Sequence, residues 1–199
     1  ASFFTRETYN YDDRYLLTYT FRRDGSSNFG PDKRWGSFHS FAGAWRFSNE
    51  AFIKKFAEGW LSNGKLRIGW GITGQESGIA NYSYLANYKM STGTTSKYNM
   101  GSDGRVFNLT PSAYDPNIKW EETITTNIGL DFSFGKDLIS GNIDLYKKDT
   151  KDLLNTVLIP MGANFSNELL TNIGSMSNKG IEFGLNYTPI RNRISSLMI

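Results

Sequence analysis

The stretch GWGITG, Gly69 to Gly74, has the G-x-G-x-x-G spacing with which a tight turn and a helix N-terminus hold a dinucleotide pyrophosphate. That chemistry needs a helix opening at the glycines and an acid about 20 residues on for the ribose. Here the stretch runs into QESGIANYSY, and no Asp or Glu occurs between Glu76 and Asp103. Gly69 and Gly71 are better placed within a strand, sharing one face and leaving space beside it. His39 is the single histidine. A Ser-His-Asp relay would have to use it, yet no G-x-S-x-G elbow is present, and no local carboxylate spacing completes a zinc site. Glu121 and Glu122 are adjacent in an alternating run, so they point to opposite faces and do not form an acid–base pair. RRDGSSNFGPDKR is rich in acids and amides but lacks the residue order of a calcium loop. The absence of cysteine removes thiolate ligands and thiol nucleophiles together. No catalytic set, metal site or cofactor is expected, and the chain is not expected to be an enzyme.

The elements that would position any functional side chain are strands. Period-2 runs cover Phe3–Tyr11, Tyr15–Arg23, Ser37–Ser48, Lys65–Thr73, Trp120–Phe134, Ile139–Leu153 and Asn178–Thr188. Soluble strands usually have about 5 or 6 residues, and these are about twice as long. A tilted strand crosses a bilayer in about 9 to 11. The connections also alternate in size. Tight turns are expected at Asp12–Arg14, where Asp12 and Asp13 are turn formers, at Gly135–Leu138 and around Pro189–Asn192. Long loops are expected at Asp24–Gly36, Gly74–Lys119 and Asn155–Asn172, and this asymmetry is that of an up-and-down membrane barrel.

One connection departs from it. In Asn49–Gly64 the residues Phe52, Ile53, Phe56 and Trp60 recur at helical spacing, with Ser48 or Asn49 as the expected cap and Gly59 or Gly64 as the stop. This predicts a short amphipathic helix near 50–60, lying on the rim at the turn end. Tyr9, Tyr11 and Tyr15 flank the first turn, and Trp35, Trp45, Trp70 and Trp120 lie in or beside strands, an arrangement suited to membrane interfaces.

Composition permits either a soluble domain or a barrel. The 199 residues are 39% hydrophobic and 15% aromatic, with a mean hydropathy of −0.44, and no apolar run reaches the ~18 residues of a helical span. A barrel also averages out as polar, because only alternate strand residues meet lipid. The net charge is +3, with scattered basic residues, which does not favour nucleic acid. In NIGLDFSFGKDLISGNIDLY, Asn127 to Tyr146, each strand has one apolar and one polar face. Alternation alone leaves two readings: a soluble, carbohydrate-binding β-sandwich with the apolar face inward, or a barrel with it outward.

Tyr9–Phe52, LRIGWGITGQESGIANYSYL, YDPNIKWEETITTNIGLDFSF and the run from Tyr146 to Asn186 resemble, in order, the barrel of SusC/RagA-type TonB-linked outer-membrane transporters of Bacteroidetes. The resemblance implies an all-β, antiparallel up-and-down segment of about seven strands within a large transmembrane β-barrel of the Gram-negative outer membrane. Leu130, Phe132, Ile143 and Leu145 would then face lipid, while Asn127 and Asn142 would face the lumen. Arg22, Asp131, Asp144 and Glu182 are the lumen-facing candidates. The amino terminus, ASFFTRETYNY, lacks a signal-peptide pattern and already alternates, so residues 1–199 are expected to be part of a barrel domain whose plug, TonB-contacting segment and final strands lie elsewhere. The implied function is TonB-dependent import of a glycan oligosaccharide or a peptide, with a SusD-like surface lipoprotein over the mouth and a TonB–ExbB–ExbD complex acting through the absent regions. Tyr82, Tyr84 and Tyr98 in the long loop are the candidates for contact with substrate or lid.

Overall fold

The computed structural model describes residues 1–57, 59–90, 97–99, 105–107, 109–160, 162–191 and 196–197. Its strands in chain order begin with β1 (Ser2–Tyr11), β2 (Tyr15–Gly25), β3 (Trp35–Trp45) and β4 (Leu61–Gln75). The segment between β4 and Glu121 carries short pieces, β5 (Tyr88–Met90), β6 (Lys97–Asn99), β7 (Arg105–Phe107) and β8 (Leu109–Pro111). Then follow β9 (Glu121–Phe134), β10 (Ile139–Lys151), β11 (Leu154–Leu158), β12 (Glu168–Asn172), β13 (Ser175–Tyr187), β14 (Ile190–Arg191) and β15 (Ser196–Leu197). Seven strands form one antiparallel sheet in the order β1-β2-β3-β4-β9-β10-β13, an up-and-down meander. All seven correspond to the alternating runs of the sequence. The largest shift is at β4, which starts at Leu61, with an irregularity in its pairing to β9 between Leu61 and Asn63.

One end of the sheet carries the tight connections. Asp12 and Asp13 have φ of 52° and 49°, and the Arg14 amide donates to the Tyr11 carbonyl at 3.0 Å, so the three-residue connection of β1 and β2 contains a turn of the type I′ sense. Gly135, Lys136 and Asp137 also have positive φ in the β9–β10 turn. The tight turn expected after β13, around Pro189–Asn192, lies partly outside the described residues. Ile190 and Arg191 are paired with Leu197 and Ser196, and residues 192–195 lie outside those described.

The β3–β4 connection contains a 3-10 turn at Phe47–Asn49 and the helix α1 (Ala51–Phe56). The helix is shorter than its apolar spacing predicts. Neither Ser48 nor Asn49 caps it: the cap position is Glu50, which makes no side-chain capping bond. Trp60 lies beyond the helix. Gly64 is not its stop but a residue of β4, where a Cβ would run into the Phe47 ring.

Glu50 instead ties the rim together. Its carboxylate accepts from the Tyr15 hydroxyl (2.7 Å), the Trp45 indole N–H (3.1 Å) and the Arg14 guanidinium (3.2 Å), while the Arg46 amide donates to the Arg14 carbonyl at 2.7 Å. These bonds, led by that from Tyr15, hold the Glu50 carboxyl below the usual carboxylate range. A depressed folded pKa contributes stability that is complete above the unfolded value and is lost as pH falls through the folded one. Acidification should therefore loosen the rim only below the ordinary glutamate range. Amide-exchange protection at Arg46, followed against pH, should show that step and should lose it in Glu50→Gln.

The sheet has no second layer over either face among the described residues, which removes the β-sandwich reading: a sandwich needs an apolar core between two sheets. Phe29, Phe38, Ile118 and Trp120 form one buried cluster at the end carrying the long loops, with Ile72, Ile79, Tyr84, Leu154 and Leu170 packed against it. Trp120 thus belongs to a core and not to an exposed aromatic belt, and its indole N–H donates to the Arg34 carbonyl at 3.4 Å. The long loops are not plain coil. β11 pairs with β12, β5 with β8 and β6 with β7 as separate two-stranded ladders. One sheet face is apolar and open, with Tyr9, Leu17, Phe41, Ile68, Ile128, Leu145, Ile181 and Phe183 all exposed.

Candidate functional site

Register assembles a polar ladder on the opposite face. Lys65, Asp131 and Asn142 are in register across β4, β9 and β10, and Arg67, Gly129, Asp144 and Glu182 form the next row into β13. Alternation places every second residue of each strand on this face. Arg67 reaches across Gly129 to two acids. Its Nε and Nη2 donate to Asp131 Oδ2 and Oδ1 at 2.9 and 2.8 Å, and Nη2 also donates to both Asp144 oxygens at 3.1 Å. Asn142 Nδ2 donates to Asp144 Oδ2 at 2.8 Å. Gly129 leaves room for this close approach: a Cβ there would stand 2.7 Å from the guanidinium carbon, so the Arg67 side chain would have to shift. In the same way Gly180 and Gly184 leave room for the Tyr146 ring and the Asn142 amide. The polar side chains lie along the wall, from strand to strand, and do not stand out from it.

The arrangement is electrostatic. Arg67 pairs with two carboxylates, so these three side chains carry one positive and two negative charges. Among the described residues no group of three potential metal ligands occurs. His39 is an ordinary strand residue, its Nδ1 within 2.9 Å of the Tyr19 hydroxyl. GWGITG lies inside β4, with no helix at its glycines. Gly71 is tightly approached by Ser40, whereas Gly69 has open space beside it. Arg67→Met should leave Asp131 and Asp144 without their shared cation, at a cost of about 1–3 kcal/mol. Urea unfolding of the refolded protein in detergent micelles measures this, and adding Asp131→Asn should recover part of the loss.

The second component is the packed platform at the loop end. The Asn172 side chain accepts from the Lys119 amide (2.8 Å) and donates to the carbonyls of Lys119 (2.9 Å) and Asp152 (2.8 Å). Lys119 Nζ pairs with Asp152 at 2.7 Å. Thr171 donates to Asp115 at 2.5 Å, and Asn164 to the Tyr114 carbonyl at 3.1 Å. These bonds hold the segment preceding β9 against the β11–β12 hairpin, while Phe29 enters the cluster from the β2–β3 loop.

The residues singled out from sequence fall into three places. Asp131 and Asp144 meet at Arg67, and Glu182 is opposite Asp144 in register on the edge strand, with no ion pair among the described residues. Arg22 is at the loop end, where its Nε donates to Asp24 at 2.6 Å, and it does not join Arg67. Tyr82 is an exposed loop residue with φ of 60°. Tyr84 is half-buried against the aromatic cluster, and its ring lies beside Gly30. Tyr98 pairs through its backbone with Val106 in the β6–β7 ladder, and its side chain lies outside the described residues. Of the two whose side chains are described, Tyr82 is exposed and Tyr84 is half-buried. Arg67 itself was readable in KLRIGW, since Lys65 and Arg67 alternate with Leu66, Ile68 and Trp70.

Comparison with known proteins gives consistent matches over the whole fold. The sequence matches the family described as TonB dependent receptor-like, beta-barrel over residues 1–197. It is 45% identical to the TonB-dependent receptor SusC of Bacteroides thetaiotaomicron over 96% of this chain and 18% of SusC. It is 35% identical to the TonB-dependent receptor P39 of Formosa agariphila, over 96% of this chain and 17% of that protein. The chain thus spans less than a fifth of the length of these relatives. The RagAB peptide importer in its closed-closed state superposes with a TM-score of 0.81 and 28% identity, covering 96% of this chain and 20% of the RagAB chain.

Proposed function

We propose, from the premise that this chain belongs to the TonB-dependent receptor-like β-barrel family, that it is a wall segment of a transporter importing an oligomeric nutrient across the outer membrane, in which family members reside. The observation that carries this reading is the sheet itself, a seven-strand meander with one open apolar face and one polar face crossed by Arg67, Asp131 and Asp144. A membrane barrel needs that division, apolar band to lipid and polar ladder to lumen. On this reading Arg22, Asp131, Asp144 and Glu182 face the lumen. The plug and the segment that engages a TonB–ExbB–ExbD complex belong to other parts of the whole protein, and the chemistry is transport with no bond made or broken.

The substrate class proposed is a glycan oligosaccharide, supported by the 45% identity to SusC and the SusC/RagA-type resemblance. A SusD-like lipoprotein would rest on the loop platform, whose packing offers it a preformed surface. Of Tyr82 and Tyr84, Tyr82 is the exposed one, placed to meet cargo or lid. Tyr98 is retained as a second candidate and Tyr84 as a support for the surface. Peptide import is the second reading, favoured by the superposition on RagAB, a peptide importer. Deleting the receptor that carries this chain, then supplying oligosaccharides or peptides as sole carbon source, separates the two. Loss of growth on an oligosaccharide, restored by the intact gene, is the expected result. Loss confined to peptides would move the substrate to the second class, and growth unchanged on both would end the import reading.

A further inference from the structure

The β3–β4 connection carries an exposed aromatic ridge. Phe52, Phe56 and Trp60 are 66%, 86% and 52% exposed. At about 100° per residue, Phe52 and Phe56 share one face of α1. Ile53 and Ala57, half-buried and buried, share the face turned to the protein, and Lys54 and Lys55 occupy the remaining arc, both exposed. Neither lysine has an ion pair among the described residues.

The position of this connection follows from its contacts. The Phe47 ring occupies the space over Gly64, whose register partner is Phe132, and meets Trp45 edge-on at 5.9 Å. Trp60 stacks on Phe134 at 5.7 Å and 13°. Phe132, Phe134 and Trp45 all alternate with the apolar set, so α1 lies outside the barrel wall, on its lipid side, at the turn end. Short turns mark the periplasmic end of such barrels. Beside the helix is an open cleft of about 670 Å³ lined by Ser48, Asn49, Ile53, Lys54, Lys55 and Ser62. Two ammonium groups, two hydroxyls and an amide around one cleft fit a phosphodiester.

We propose that α1 and Trp60 are an interfacial anchor in the periplasmic leaflet. Phe52, Phe56 and Trp60 enter the acyl boundary, and Lys54 and Lys55 hold the phosphate of an anionic phospholipid in the adjoining cleft. Two observations commit the occupant to lipid: Trp60 joins the ridge to the apolar strand face through Phe134, and the cleft presents cations to a leaflet that offers phosphates. Amphipathic segments with rings on one face and lysines on another bind in this manner.

The test uses the whole receptor in phosphatidylcholine nanodiscs with and without phosphatidylglycerol, on a background free of other cysteines. A spin label at Phe56→Cys should collide more with oxygen than with a water-soluble nickel chelate. Phosphatidylglycerol retained per receptor through detergent extraction should fall about fivefold for each lysine removed in Lys54→Gln and Lys55→Gln. A label as accessible to nickel as one in the Asp12–Arg14 turn, or shielded from both reagents by protein, would overturn the anchor. Unchanged phosphatidylglycerol in the double variant would overturn the headgroup site.

Discussion

Leu130→Arg should leave the receptor outside the membrane. Its register neighbours are Leu66 on β4 and Ile143 on β10, and Phe183 follows on β13. The new cation would have no acid beside it on its own face. On the lipid face near midplane an arginine costs about 2–4 kcal/mol, a large part of a barrel's margin. Asn127→Arg, three positions away but on the polar face, should insert, because its alternate parity directs the cation away from lipid. Membrane fractionation with heat-modifiability on gels reads both variants. Insertion of Leu130→Arg as efficient as that of Asn127→Arg would invert the assignment of faces, and the position of the proposed anchor with it.

The second large effect is expected at the loop end. Phe29 has no exposed surface, and its ring lies 4.9 Å from that of Trp120 at the centre of the aromatic cluster. Phe29→Ala removes a large buried side chain at a cost of about 3–5 kcal/mol. The loss should be local, since the sheet ladder does not pass through Phe29. The barrel should remain heat-modifiable while the loop from Ser26 to Arg34, closed by the Ser26 amide on the Arg34 carbonyl at 3.1 Å, opens. Trypsin cleavage at Lys33 or Arg34 should accelerate about a hundredfold or more. Cleavage at the rate of the parent protein would show that the cluster does not hold the loop.

Strands and faces were legible in the sequence because period 2 is a local signal, repeated along each of the long runs. The register that joins Asp131 to Asp144 was also close to legible, since a tight turn at Gly135–Leu138 fixes which residues of β9 and β10 meet. The loop core was not. Phe29, Trp120 and Leu170 come from three separated segments with no shared period, so only tertiary packing brings them together, and Tyr84 is drawn into that packing and away from the free surface expected of it. The α1 segment was half legible. Apolar spacing located a helix, but spacing does not reveal that Glu50 is occupied by Tyr15, Trp45 and Arg14 and supplies no side-chain cap, nor that Trp60 is held by Phe134.

The side chains that lie flat across Gly129, Gly180 and Gly184 bear on throughput. Arg67 already has Nε and Nη2 engaged by Asp131 and Asp144, and Asn142 is engaged with Asp144. On the import reading proposed above, a cargo sliding past such a lining would meet few unsatisfied groups and few protruding obstacles and would have little reason to dwell. Discrimination between cargoes would then be exercised at the mouth, and the bore would act as a low-friction passage whose rate is set by whatever opens it.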